Sequence, residues 1–125
     1  MKLADWQLSA RRGWHHPFIR WITVGTILCV LGMTSFIAYR LVPVGIRSGV
    51  VILHYNIYLG IDQVQAWPWM FVSPGIMFAI VIVNVLFALG CFARHELAAK
   101  ACVVMTLIIA LLWGISSFFL VLVNI

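Results

Sequence analysis

The chain has 125 residues, of which 65% are hydrophobic and only 9% are charged, and its formal net charge is +5. A water-soluble domain of this size needs far more polar surface, so the composition excludes a soluble globular fold and indicates an integral membrane protein. The positive charge does not indicate a nucleic-acid-binding protein, because the basic residues flank apolar runs rather than alternating with aromatics in a soluble segment. The expected partner is therefore the lipid bilayer and not a nucleic acid.

Residues 1–20 form a short lead in which tryptophan, leucine and phenylalanine alternate loosely with basic residues. This pattern predicts an amphipathic helix lying at the cytoplasmic interface of the membrane. The adjacent His15 and His16 point about 100° apart on a helix, so they rarely share one metal ion. We therefore interpret them as interfacial polar residues.

Three long apolar runs without a formal charge follow the lead, and they are Trp21–Tyr39, Met70–Ala93 and Ala101–Ile125. Each run is long enough to cross a hydrocarbon core of about 30 Å as a helix, the conformation that satisfies its own backbone in lipid. No small-residue cleavage site follows the first run, which indicates an uncleaved signal anchor. The sequence predicts an all-α membrane protein with transmembrane helices over residues 21–42, 69–93 and 97–124.

The distribution of basic residues predicts the orientation in a bacterial cytoplasmic (inner) membrane. Six of the eight Lys and Arg residues lie in the lead and in the loop between the second and third helices, which share one side. The opposite side carries only Arg40 and Arg47. The positive-inside rule then places the N-terminus in the cytoplasm, and the C-terminus and residues 43–68 outside.

Residues 43–68 form the predicted outer loop, in which valine, isoleucine and tyrosine are dense. Pro43 and Gly45 are expected to end the first helix. The Ser48-Gly49 pair then predicts a short β-hairpin of Leu41–Arg47 with Val50–Tyr58, and the alternative is a fourth, non-spanning amphipathic helix.

The end of this loop carries signals for a helix start and for a membrane interface. Gly60 and Asp62 indicate a turn in which Asp62 is the N-cap of a short helix. Trp67-Pro68-Trp69 is typical of an interfacial belt that opens the second membrane helix.

Most of the chain's specific side-chain chemistry lies in this loop, at His54, Tyr55, Asn56, Tyr58 and Asp62. His54 and Asp62 are a conceivable acid–base pair, with the other three as hydrogen-bond donors. The competing interpretation is that these polar groups only fix the fold of a small loop. We treat these five residues as the candidate recognition loop.

Small residues on the predicted helices indicate close helix packing, either within the chain or between copies. On the first helix Gly25, Cys29, Gly32 and Ser35 fall on one face, and on the third helix Ala98 opens a repeat of small residues at every fourth position. Asn84 lies mid-membrane, where its amide is expected to bond to another helix. The predicted packing residues are Gly25, Gly32, Asn84, Cys102, Thr106, Ala110 and Gly114.

Catalytic and metal-binding patterns are missing from the sequence. It has no nucleophile elbow, no phosphate-binding glycine loop and no metal-ligand cluster, and its three cysteines lie in apolar runs as expected of buried free thiols. The only acids, Asp5, Asp62 and Glu96, lie outside the deep part of any span, which disfavours a proton relay. We expect no catalytic residues, no metal and no cofactor.

The segment Leu53-His54-Tyr55-Asn56-Ile57-Tyr58-Leu59-Gly60-Ile61-Asp62, followed by Trp67, resembles a motif of an uncharacterised family of small three-helix bacterial membrane proteins. In that family one helix precedes this loop, and a helical hairpin ending in Asn follows it. Asn84 and Asn124 fit this outline, and the resemblance covers roughly residues 20–125. It implies the topology and the importance of the loop, and it implies no activity.

The leading hypothesis is a non-enzymatic integral membrane subunit, a structural or accessory part of a membrane complex. It would assemble with its own copies or with other membrane subunits through small-residue helix faces and the outward-facing loop. The alternative is a small-molecule or cofactor binding module, or a small transporter subunit, with its site in the outer loop.

Overall fold

Helix dominates the computed structural model, which describes residues 3–56, 58 and 60–125 but not the side chains of Asn56 and Asp62. Three helices are long and apolar enough to cross a membrane, which confirms this part of the predicted fold class. The elements are α1 (Leu3–His15), α2 (Pro17–Ser48), β1 (Val50–Asn56), β2 (Gly60–Ala66), a 3-10 segment (Trp67–Phe71), α3 (Val72–Cys91) and α4 (Glu96–Asn124).

Helix α2 is longer than predicted at both ends. It begins with Pro17 in its first turn, a position where the missing N–H of proline costs nothing. It continues through Pro43 and ends at Gly49, whose φ of 75° suits glycine and whose N–H donates to the Gly45 carbonyl at 2.8 Å. The predicted helix end at Pro43 and Gly45 is therefore wrong, and residues 43–48 are helical rather than part of the loop.

Gly45 contributes a packing contact instead of a helix end. A Cβ added at Gly45 would collide with the side chain of Trp67. The chain returns from the hairpin along this part of α2, and only glycine leaves room for the tryptophan at that crossing.

A two-stranded antiparallel sheet connects α2 to α3, but its strands are not the predicted ones. Strand β1 pairs with β2, so that Val50 lies opposite Ala66 and Asn56 lies opposite Gly60. The pairing of Leu41–Arg47 with Val50–Tyr58 is wrong, because the first of these segments belongs to α2. Ser48-Gly49 closes a helix rather than a hairpin.

The start of β2 replaces the short helix expected after Gly60. Gly60 has a φ of 76° at the hairpin turn, a conformation that glycine adopts without strain. The backbone of Asp62 lies in β2, so the prediction that Asp62 caps a helix is wrong. The alternative of an amphipathic helix in this segment is also wrong.

The lead does form a helix, α1, which docks on the last turn of α3. Ser9 Oγ donates to the Leu89 carbonyl at 2.8 Å and accepts the Ala93 N–H at 3.0 Å. Gly90 of α3 faces the indole of Trp6, where a Cβ would leave too little space. One hydroxyl thus satisfies two backbone groups at the end of α3, where a helix lacks its own partners.

Buried side chains run along the whole bundle in three clusters. Cluster one, at the hairpin end, joins α2, α4, β1 and the 3-10 segment through Ile37, Leu41, Val51, Met70 and Val121. Cluster two, in the middle, contains Val30, Met77, Val81 and Ala110. Cluster three, at the turn end beside residues 92–95, contains Ile19, Ala88, Ala99 and Val103. The hairpin therefore closes one end of the bundle and α1 the other.

Candidate functional site

The five residues of the candidate recognition loop lie on the hairpin, towards its turn. His54 lies opposite Gln63 and Tyr55 lies opposite Ile61, and the ladder is irregular on both sides of His54. Tyr58 is 91% exposed in the turn itself. The side chains of Asn56 and Asp62 lie outside the described residues, and so does the proposed pairing of His54 with Asp62. The structure thus places the five residues on one hairpin, and two of the described ones, His54 and Tyr55, line a small cavity of about 240 Å³ against the end of α4.

The hairpin is fastened to α4 by the side chain of Asn124. The Ile52 N–H donates to Asn124 Oδ1 at 2.8 Å, and Asn124 Nδ2 donates to the Ile52 carbonyl at 2.8 Å and to the Leu120 carbonyl at 2.9 Å. A carboxamide has the same donor and acceptor as a peptide group. Asn124 therefore takes the place of a third strand beside β1 and covers part of its free edge.

A groove of about 560 Å³ lies beneath the hairpin, between β2, α3 and α4. Its buried floor includes Met70, Pro74 and Met77, and its rim at the hairpin carries the carboxamides of Gln63 and Gln65. We refer to this cavity as the hairpin groove.

Polar groups in the hairpin groove are few and sit near the hairpin. The indole Nε1 of Trp113 donates to Ser73 Oγ at 2.8 Å, which links α4 to α3 across the groove. Ser116 and Ser117 add hydroxyls from α4. A mostly apolar cavity with a few convergent polar groups is typical of a small-molecule site.

Four of the predicted packing residues on α4 face the other helices of the chain. Thr106, Ala110 and Gly114 are buried and Cys102 is partly buried. Cys102 Sγ lies 3.5 Å from the Asn84 carbonyl of α3, and Gly114 faces the methyl group of Met33 in α2. From Cys102 to Gly114 the small-residue repeat of α4 therefore serves packing within the molecule against both α2 and α3, whereas Ala98, the first residue of the repeat, is exposed.

Asn84 makes the expected helix–helix hydrogen bond. Its Nδ2 donates to Thr106 Oγ1 at 3.0 Å, and the same hydroxyl donates to the Cys102 carbonyl at 2.8 Å. The amide thus has a protein partner in the apolar interior, where an unpartnered amide is costly.

Gly25 and Gly32 differ from the other predicted packing residues because they face away from the bundle. Both are exposed, and a Cβ at either position would have no heavy atom within 4 Å among the described residues. Packing among the described residues does not use them. By contrast, the inward-facing Gly45 and Gly90 each lie against a tryptophan.

The two neighbouring histidines point to different surroundings. His15 is exposed, whereas His16 Nε2 lies 3.7 Å from Glu96 Oε1 and its ring packs at 5.5 Å from that of Phe92. Within the described residues, no group of three His, Cys, Asp or Glu side chains is placed to hold a metal ion. Cys29, Cys91 and Cys102 are free thiols.

Sequence reasoning missed Gln63, Gln65 and Asn124 as site residues. The two glutamines flank Val64 at a spacing of two residues, which places their side chains on one face if the segment is a strand. Asn124 is a lone amide in an apolar run, and such a residue indicates a specific partner.

Comparison of the chain with known protein families, with curated proteins and with solved structures gave no match.

Proposed function

We propose that this chain is a non-enzymatic, multi-pass membrane protein that associates with further copies of itself through the glycine face of α2. The glycine face consists of Gly25 and Gly32 together with the flanking Trp21, Leu28 and Tyr39, all of which are exposed. The observation that carries the proposal is that this face is open and lies opposite the stripe of α2, including Thr23, Val30 and Ile37, that is buried in the bundle.

The geometry of the face suits helix association in lipid. Gly25 and Gly32 are seven residues apart, so they lie almost directly above one another on a helix. Helices in a bilayer associate by close packing at small residues, because lipid provides no hydrophobic driving force between them. A second copy is the simplest occupant, since a two-fold contact pairs a face with itself and requires no other surface.

The proposed setting is the bacterial cytoplasmic membrane, with the lead inside and the hairpin outside. Support comes from the charges at the turn end, where Arg94 and Lys100 join the basic residues of the lead. Only Arg40 and Arg47 lie towards the hairpin. In this orientation the hairpin presents its exposed Tyr55 and Tyr58 to the outside.

Cys29 provides the test, because it lies one turn from Gly25 on the same side of α2. In a Cys91→Ala, Cys102→Ala background, oxidation of native membranes is expected to yield a disulfide-linked dimer through Cys29. Gly25→Leu and Gly32→Leu should each reduce the dimer about tenfold, a change of about 1.4 kcal/mol in association.

Gly75 supplies the matched control. It is an exposed glycine of α3 with equally open space around it, so Gly75→Leu should leave the dimer yield unchanged. A dimer yield that falls equally for all three leucine variants, or no cross-linking over a wide range of protein-to-lipid ratios, would refute the proposed association.

A further inference from the structure

We propose that the hairpin groove binds one membrane lipid with an uncharged, hydrogen-bonding head group. The hydrocarbon chain would lie along the buried floor between α3 and α4, and the head group would contact Gln63 and Gln65 of β2.

The size and opening of the groove suit a lipid chain. Its volume of about 560 Å³ lies within the range of about 300–1,000 Å³ that is typical of ligand sites. Ile76, Ile80 and Ile109 line the groove and are also exposed on the outside of the bundle. The mouth is therefore apolar and faces the surroundings of the helices, so that a lipid chain can enter sideways from the bilayer without crossing water.

The length of the groove fits one leaflet. It extends along the chain from Trp69 to Ile80, which corresponds to roughly 16 Å of helix. Half of a hydrocarbon core of about 30 Å has nearly the same depth. Trp69 lies at the hairpin end of this path, as expected of a residue at the head-group level.

The polar groups that line the groove indicate which kind of lipid head group it would bind. Gln63 and Gln65 each offer one acceptor and two donor hydrogens at the rim, and the lining also includes the hydroxyls of Ser73 on α3 and Ser116 on α4. None of the described residues that line the groove carries a formal charge. An anionic head group would lose water there without gaining a counter-ion, whereas a glycerol or amide head group can be fully hydrogen-bonded.

Photolabelling tests this site in phosphatidylcholine vesicles that contain the reconstituted protein and a monoacylglycerol with a photoreactive group on its chain. Labelling is expected to saturate and to be competed by unlabelled monoacylglycerol. The modified peptides should come from α3 and α4, and Gln63→Leu/Gln65→Leu should reduce the saturable labelling. A lysophosphatidic acid with the same photoreactive chain is the anionic probe, and it should label the groove less.

Two matched pairs of variants distinguish the groove from general lipid contact. On α4, Ile109 lines the groove and its neighbour Ile108 does not, while their exposed fractions are 39% and 43%. On α3, Ile76 lines the groove and Ile82 does not, and each is 57% exposed. Ile109→Trp and Ile76→Trp should reduce saturable labelling about tenfold, whereas Ile108→Trp and Ile82→Trp should leave it unchanged.

Three results would overturn the proposal. Labelling that does not saturate would indicate annular lipid only. The same conclusion would follow if both variants of a pair changed the labelling equally. Stronger labelling by the anionic probe would contradict the neutral head group. Labelling that appears only after dilution of the protein into excess lipid would indicate that a second copy occupies the groove. The two pairs lie on different helices. If one variant misfolds, the other pair therefore still tests whether the lipid occupies the groove.

Discussion

At the scale of single residues, the hydrogen bond between Asn84 and Thr106 predicts that removing one of the two side chains costs more stability than removing the other. The Thr106 hydroxyl accepts from Asn84 and donates to the Cys102 carbonyl of its own helix. Removing Asn84 leaves that hydroxyl with its second partner. Removing the Thr106 hydroxyl instead leaves an amide donor of Asn84 without this partner in an apolar interior, which is the more costly situation.

We therefore expect Thr106→Val to destabilise the bundle by about 1–2 kcal/mol and Asn84→Leu by less, and the double variant to be no worse than Thr106→Val alone. The measurement is the free energy of unfolding in mixed micelles titrated with a denaturing detergent. Equal losses for the two single variants, with an additive double variant, would show that the two side chains act independently.

At the scale of elements, the hairpin is held in place by a few specific contacts. Val51 is buried against α2 and α4, and Asn124 bonds both backbone groups of Ile52. An isolated two-stranded hairpin is only marginally stable in water. The end of α4 therefore supplies the support that the hairpin lacks by itself.

Asn124→Ala is expected to lower the hydrogen-exchange protection of the Ile52 amide roughly tenfold or more, because this N–H loses its acceptor. Asn124→Asp should retain more of the protection. A carboxylate oxygen can still accept from the Ile52 N–H, although the hydrogen bond from the Asn124 amide to the Ile52 carbonyl is lost. Asn84→Leu, far from the hairpin, serves as the control and should not alter exchange at Ile52. Unchanged protection in Asn124→Ala would mean that the side-chain bonds do not hold β1.

The sequence predicted the three apolar helices but not the helical conformation of residues 41–47. Leu41–Arg47 is rich in β-branched residues, which favour a strand, and it contains Pro43, which disfavours the interior of a helix. Helix prevails because Leu41 is buried in the core and Gly45 receives Trp67. Both contacts involve partners that are distant in sequence, and local propensity contains no information about them.

At the scale of the whole molecule, the two ends of the bundle are fastened separately. Ser9 joins α1 to the end of α3, and Asn124 joins β1 to the end of α4. Helix α4 separates these two contacts, and its 29 residues correspond to about 43 Å. Contacts so far apart with no shared partner are expected to contribute independently.

Ser9→Ala and Asn124→Ala should therefore destabilise the protein additively, within about 0.5 kcal/mol. The unfolding free energies of the two single variants and the double variant give the coupling directly. Ser9→Thr, which keeps the hydroxyl, is the control for the turn end. A coupling above about 1 kcal/mol would show that the bundle transmits strain from one end to the other.

The sequence alone determined the mainly helical class and the approximate positions of the three apolar helices, because these depend on composition and on the length of uncharged runs. It also indicated a partner for Asn84, since an amide in an apolar span needs one. The tertiary structure decided the strand pairing, the role of Asn124, the hairpin groove and the outward direction of Gly25 and Gly32. Each of these depends on which surfaces meet, and residues far apart in the chain determine that.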